Sequence, residues 1–393
     1  MLILQFILFL LTIPAVLVCA YLLLLTVLSG RLPVPPSPAR QLRFDVIVPA
    51  HNEAAGIERT VKSLRQLNWP VERYRLLVIA DNCTDATADI ARAAGAEVLE
   101  RTDPKLRGKG HALQFAFRES AAQGRTDAVA VIDADTEVSA NLLEAFAARI
   151  YAGAQAVQVH YGVLNPMDSW RTRLITIANG SFHVLRSRAR ERLRVSTGIR
   201  GNGWCVTHAL LRQLPYQAFS LTEDLEFGIA LGLAGVRVHY AEEAHVNGEM
   251  VSLAGAAAVQ RQRWERGRFA LIRSRTVPLL VAALRAPSAL CLDLACDLLV
   301  LPLSYVALYV AVLVAAAAAV AWWLPAGAAW LGLAIACGAA LLAYVLRGWQ
   351  LSGIGARGIL DLARAPLFLA WKLRLLRRPS DPTAWVRTPR GKP

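Results

Sequence analysis

The chain has 393 residues, of which 55% are hydrophobic and only 18% charged, and its mean hydropathy is +0.39, values that exclude an ordinary soluble or disordered protein. Its six cysteines include no CxxC pair, which excludes a disulfide framework and a cysteine zinc site. The net charge of +14 would suit nucleic acid, but much of it directly follows apolar segments, so the expected partner is membrane lipid and no nucleic acid.

Residues 1–30 carry no charge and predict a transmembrane helix. The run is far longer than the ~7–15-residue core of a cleaved signal, and no Lys or Arg precedes it. Residues 31–43 hold four prolines and read as a stiff linker. From residue 44 onward, short apolar runs at 44–48, 76–80, 98–99, 128–132 and 156–159 alternate with helical spacing at 54–67, 85–94, 111–122 and 142–151. This alternation predicts an α/β domain over 44–272, with a mostly parallel sheet, helices on both faces, and ligands outside the carboxyl ends of the strands.

Residues 174–194 predict a helix. Its arginines at 186, 188, 190, 192 and 194 read as a solvated or lipid-facing basic surface, or as contacts to an anionic acceptor. Residues 273–297 read as an interfacial segment, where Asp293 and Asp297 share a helix face in a structural role. Residues 298–346 hold two uncharged membrane-spanning stretches, and 347–393 form a basic tail with an interfacial helical stretch. Positive residues after the first and last spans place the large domain and the tail on the cytoplasmic side of a plasma or inner membrane.

Chemistry concentrates where strands are expected to end. Asp133 and Asp135 follow the fourth apolar run; residues i and i+2 of an extended segment point the same way, so both acids can converge on Mg²⁺ or Mn²⁺. A turn or cap role is the alternative. Asp81 and Asp85 follow the second run, with Asp81 the better ligand and Asp85 equally well read as a helix cap. Glu53 lies in the loop after the first run. Glu223 and Asp224 open a helical stretch, either as caps or with one as a general base. In Gln260, Arg263 and Trp264 an arginine fork suits a diphosphate and an indole face suits a sugar ring; a plain basic juxtamembrane helix is the alternative.

Pro-x-His-Asn-Glu, Asp-Asn-x-Thr-Asp, Asp-x-Asp, Thr-Glu-Asp and Gln-x-x-Arg-Trp, in that order over about residues 45–268, resemble the membrane-integrated family-2 glycosyltransferases. That group includes the cellulose, chitin, hyaluronan and poly-N-acetylglucosamine synthases. The resemblance implies a GT-A fold and an inverting, metal-dependent transfer from a UDP-sugar, of the UDP-glucose or UDP-N-acetylglucosamine type, to a glycan or lipid-linked acceptor. It implies donor contacts from Asp81, Glu53, Lys109, Asp133, Gln260 and Arg263, and a Mg²⁺ or Mn²⁺ ion at Asp133 and Asp135. It further implies catalysis by Asp224 with Glu223 beside it, and acceptor contacts from Trp264 and Trp204. Polymer-extruding relatives generally carry more membrane helices after Gln-x-x-Arg-Trp than the two visible here. This implies short additions to an acceptor such as a polyprenyl phosphate or ceramide-like lipid, or a homo-oligomer or export partner. A membrane scaffold would not need acids at several strand ends, and a nucleotidyltransferase would leave the last two motifs unexplained.

Overall fold

The structure is a computed structural model that describes residues 2–250, 254–324 and 327–364; the predicted tail beyond 364 lies outside the described residues. Valine- and isoleucine-rich runs fit a pleated, buried surface, and they form the strands. These are β1 (Phe44–Ala50), β2 (Tyr74–Asp81), β3 (Glu97–Arg101), β4 (Ala128–Val131), β5 (Thr136–Val138), β6 (Ala156–Val163), β7 (Trp204–Thr207) and β8 (Val238–Gly248). They make one sheet in the order β3-β2-β1-β4-β7-β6-β8-β5. The β3-β2-β1-β4 half is all parallel, whereas β7 runs antiparallel to both β4 and β6, and β5 antiparallel to β8.

Alternation along the strands serves two cores. Val46, Val48, Val78 and Ala130 face the layer holding helices Ile57–Leu64 and Leu142–Tyr151. Ile47, Leu77, Ile79 and Val131 face the layer of helices Lys109–Gln123 and Glu223–Leu233. Chain order reverses at β1, which has β2 on one side and β4 on the other, so the crevice at their carboxyl ends is the place where open α/β sheets bind ligands.

Among the described residues, three helices are long and apolar enough to cross a membrane: Ile3–Val27, Leu303–Trp323 and Gly327–Ser352. They pack together through Cys19, Leu22 and Leu25 of the first, Val310 and Leu313 of the second, and Cys337, Leu341 and Tyr344 of the third. Phe9 meets Trp330 at one end of the bundle, while Arg347 reaches Ser29 at the end facing the sheet. The sheet domain joins the bundle through helix Ala254–Arg285, helix Ala289–Leu299 and the helical run 170–192.

Two arginines of that run correct the expectation of an exposed basic surface, which Arg192 and Arg194 meet. Arg186 and Arg190 are buried and point inward. Arg186 donates to Asp297 at 2.9 Å and to the Tyr344 hydroxyl at 2.8 Å, and Arg190 donates to Asp293 at 2.6 Å. Arg200 lies 3.7 Å from Asp297, and Arg268 donates to the carbonyls of Asp297 and Val300. Burial of an arginine is tolerable only when it is paired and hydrogen-bonded, and here the acids come from a helix a hundred residues further along the chain.

Candidate active site

The loops after β1, β2, β3 and β4 open on the same crevice. Asn52 and Asn82 adopt left-handed backbone there (φ 55° and 51°), a conformation that asparagine tolerates. Asn52 ties the first two loops together by accepting from the Thr84 amide at 2.7 Å, and His51 Nδ1 lies 2.7 Å from the Asp81 carbonyl. Glu53 is half-buried in the first loop, its amide bonded to the Thr87 hydroxyl. Asp81 ends β2, buried, directly opposite Arg101 in the β2–β3 register, and Arg101 donates to its carboxylate at 2.5 Å.

Asp133 and Asp135 sit in the turn after β4, Asp133 partly open and Asp135 buried. Lys109, the first residue of its helix, reaches across the crevice. Its ammonium donates to Asp133 Oδ1 at 2.6 Å and to the Gly201 carbonyl at 2.7 Å, and lies 3.6 Å from Glu223 Oε1. Two glycines flanking Lys109 permit this approach. Gly108 has φ +117°, and a Cβ on Gly110 would stand 2.1 Å from the Ala218 carbonyl.

Glu223 and Asp224 occupy the first turn of helix Glu223–Leu233, where free amides and the helix dipole favour negative charge. Burial nevertheless dominates. It pushes the Glu223 carboxyl up to about 7, with Asp224 and Asp133 adding to the push and Lys109 opposing it. Burial raises Asp224 as well, again against the pull of Lys109. Asp224 faces Gly201, whose φ is +86° and whose Cβ, if present, would lie 3.3 Å from Asp224 Oδ2.

Helix Ala254–Arg285 docks on the Thr222 side chain through Gly267; a Cβ there would stand 2.5 Å from the Thr222 methyl. This contact places the helix bearing Gln260, Arg263 and Trp264 beside Thr222-Glu223-Asp224. Trp264 is 42% exposed, and the buried Arg263 Nε has no hydrogen-bond partner among the described residues. Trp204 corrects the expectation of an acceptor platform: it is 1% exposed, wedged among Phe117, Tyr216 and Phe227, with no free ring face.

Motif reading missed the scaffold around these groups. Asn202 accepts from the Asp133 amide at 3.0 Å and donates to Thr136 at 2.8 Å, while the buried Gln158 side chain donates to the Asn202 carbonyl at 2.7 Å and accepts from the Arg200 amide at 2.9 Å. The only available signal was Gly201-Asn202-Gly203, whose two glycines both have positive φ. Arg101 offered no signal at all, because strand register alone brings it to Asp81.

The donor set fits a hard divalent cation. Among the described residues no three His, Cys or carboxylate ligands converge on one point, but Mg²⁺ is normally held by one or two carboxylates with phosphate and water oxygens, and Asp133 and Asp135 supply that pair.

The chain is 29% identical over 238 residues to a beta-monoglucosyldiacylglycerol synthase of Synechocystis sp., covering 57% of this chain and 47% of that protein. It is 26% identical over 234 residues to the probable glycosyltransferase YdaM of Bacillus subtilis, covering 57% and 55%. The chain thus spans about half the length of the curated relatives it matches. Among solved structures, a mannosyltransferase of Pyrobaculum calidifontis in complex with GDP-Man and Mn²⁺ shares the fold, with a TM-score of 0.52 and 20% identity over 88% of this chain and 98% of that one. The family described as "Glycosyltransferase like family 2" matches residues 41–267, more than half of the sequence, and the chain belongs to that family as a glycosyltransferase.

Proposed function

We propose that the chain is an inverting transferase that moves a sugar from a UDP-sugar to a lipid-linked or glycan acceptor at the cytoplasmic face of a membrane. The observation that carries this reading is the convergence of Lys109, Asp133, Glu223 and Asp224 at the carboxyl ends of the strands, beside the helix of Gln260, Arg263 and Trp264. Three spans in one bundle, with Arg347 at the sheet end, support a multi-pass anchor that keeps the site near the lipid surface.

In this reading Asp81 accepts from the nucleobase, and Glu53 lies in the loop beside it. Asp133 and Asp135 hold a Mg²⁺ or Mn²⁺ ion, which when bound offsets charge on the departing diphosphate. Arg263 and Gln260 hold the diphosphate, and the unpartnered Arg263 Nε suits a phosphate oxygen. Asp224 takes the proton of the acceptor hydroxyl, and a carboxyl pushed up by burial is a better base near neutral pH than an ordinary one. Glu223 shares the charge of Lys109 and supports that base. Trp264, exposed on the helix that docks on Thr222, offers the face on which an acceptor sugar or headgroup rests.

The test is UDP release by the detergent-purified protein from a panel of UDP-sugars, with Mn²⁺ or Mg²⁺ and with chelator. Chelator-sensitive release from one donor supports the reading. Release from GDP-sugars alone, or none from any nucleotide sugar, overturns the donor assignment.

A further inference from the structure

Among the described residues, the Lys109 ammonium lies against two carboxylates of the crevice. Lys109 faces Asp133 and Glu223 directly, Asp224 adjoins Glu223, and Asp135 lies two residues beyond Asp133. These acids suit a divalent ion, yet one oxygen of Asp133 is already held by the Lys109 ammonium at 2.6 Å. Two positive groups cannot share one carboxylate oxygen at contact distance without strong repulsion in a partly desolvated site. Lys109 is also anchored from the other side, by the Gly201 carbonyl at 2.7 Å, so its ammonium is held from two directions. A nucleoside diphosphate would change the balance, because its phosphate oxygens would offer the ammonium another partner and a divalent ion further oxygen ligands.

Resting on the metal-dependent reading above, we propose that Lys109 is the resident counter-cation of the metal site: it holds Asp133 while the donor is absent, so the divalent ion enters with the nucleotide and not before it. Lys109 thereby acts as a positioning residue that orders binding and keeps the empty crevice from loading metal. The glycines on either side serve this role by letting the helix start come within reach of Asp133.

The experiment is a titration of Mn²⁺ into full-length protein in detergent, with free Mn²⁺ read by electron paramagnetic resonance, without nucleotide and with saturating UDP. Wild type is expected to bind Mn²⁺ weakly alone and at least about tenfold more tightly with UDP, the scale of one relieved charge contact in a half-buried site. Lys109→Gln is expected to bind Mn²⁺ without nucleotide about tenfold more tightly than wild type, shrinking the gain from UDP. Lys109→Arg keeps the charge and is expected to bind the bare ion as weakly as wild type. The inference is overturned if Lys109→Gln binds bare Mn²⁺ no better than wild type while UDP-dependent binding persists in wild type, or if Lys109→Arg binds it tightly. Absence of Mn²⁺ binding in wild type with UDP present overturns the metal-dependent reading itself.

Discussion

Two buried charge clusters divide the molecule, and they are built in opposite senses. At the strand ends three acids, Asp133, Glu223 and Asp224, act on Lys109; at the membrane junction four arginines, Arg186, Arg190, Arg200 and Arg268, surround Asp293 and Asp297. In the first, burial raises the Glu223 and Asp224 carboxyls against the pull of Lys109. In the second, burial alone would raise Asp297, but Arg190, Arg200, Arg186 and Arg268 overcome it and hold that carboxyl far below the usual range. Burial also brings Arg200 down to about 10, with Arg190, Arg186 and Arg268 adding to the push and Asp297 opposing it. Acids raised by burial suit a site that handles a cation and a proton; an acid saturated by arginine marks a joint. Arg200 connects the two, since its side chain faces Asp297 while the next residue's carbonyl holds Lys109.

Substitutions can break this contrast. The largest expected effect is from Asp135→Asn, which removes a metal ligand and is expected to lower turnover by ~10²–10⁴-fold. Its thermal unfolding should stay within a few degrees of wild type; a collapse of the fold would mean that Asp135 is structural. Asp297→Asn should do the reverse. Leaving buried arginines without their shared acid is expected to cost ~3–5 kcal/mol, read as a lower unfolding temperature in detergent, with the crevice residues untouched.

Two tryptophans sharpen the same contrast. Trp204→Ala should destabilise by ~3–5 kcal/mol, because it empties a core position. Trp264→Ala should leave stability unchanged and raise the acceptor KM by about tenfold, the scale of a lost stacking face. Equal effects of the two on KM would remove the distinction drawn between them.

The smallest effect is one of pH. A carboxyl raised to about 7 is protonated below that pH, so kcat/KM should fall as pH drops from about 8 to 6. For stability the sign is opposite. Glu223 is easier to ionise when unfolded, so its contribution is full below the ordinary carboxylate range and lost as pH rises toward about 7. Asp297 is depressed, so its contribution is present above the ordinary range and lost only in strong acid. Between pH 6 and 8 activity should therefore move while the junction does not; unfolding temperatures and rates measured on the same samples check both.

Much of this was legible in sequence wherever local pattern carried it. The first four strands and their helices are regular enough that apolar runs and helical spacing located them, and the acids at their ends followed from the rule for parallel sheets. Strand β8 was not read, because alternating Glu242, Glu243, His245 and Asn247 give it a polar surface, and its inward residues count only once β6 is beside it. Arg186 and Arg190 were read as exposed because nothing local reveals partners at 293 and 297. Trp204 was taken for a ligand platform because its motif position was visible and its burial was not. Asn202, Gln158 and Arg101 escaped notice for the same reason: their roles exist only across strands.

The central claim is that Asp224 performs the chemistry while other groups hold the donor. Its most direct test is Asp224→Asn, assayed for UDP-sugar binding and for single-turnover transfer to acceptor in the same preparation. The account predicts donor affinity within about threefold of wild type and transfer reduced by ~10²–10⁴-fold. Transfer at the wild-type rate would contradict it and remove Asp224 from the catalytic role.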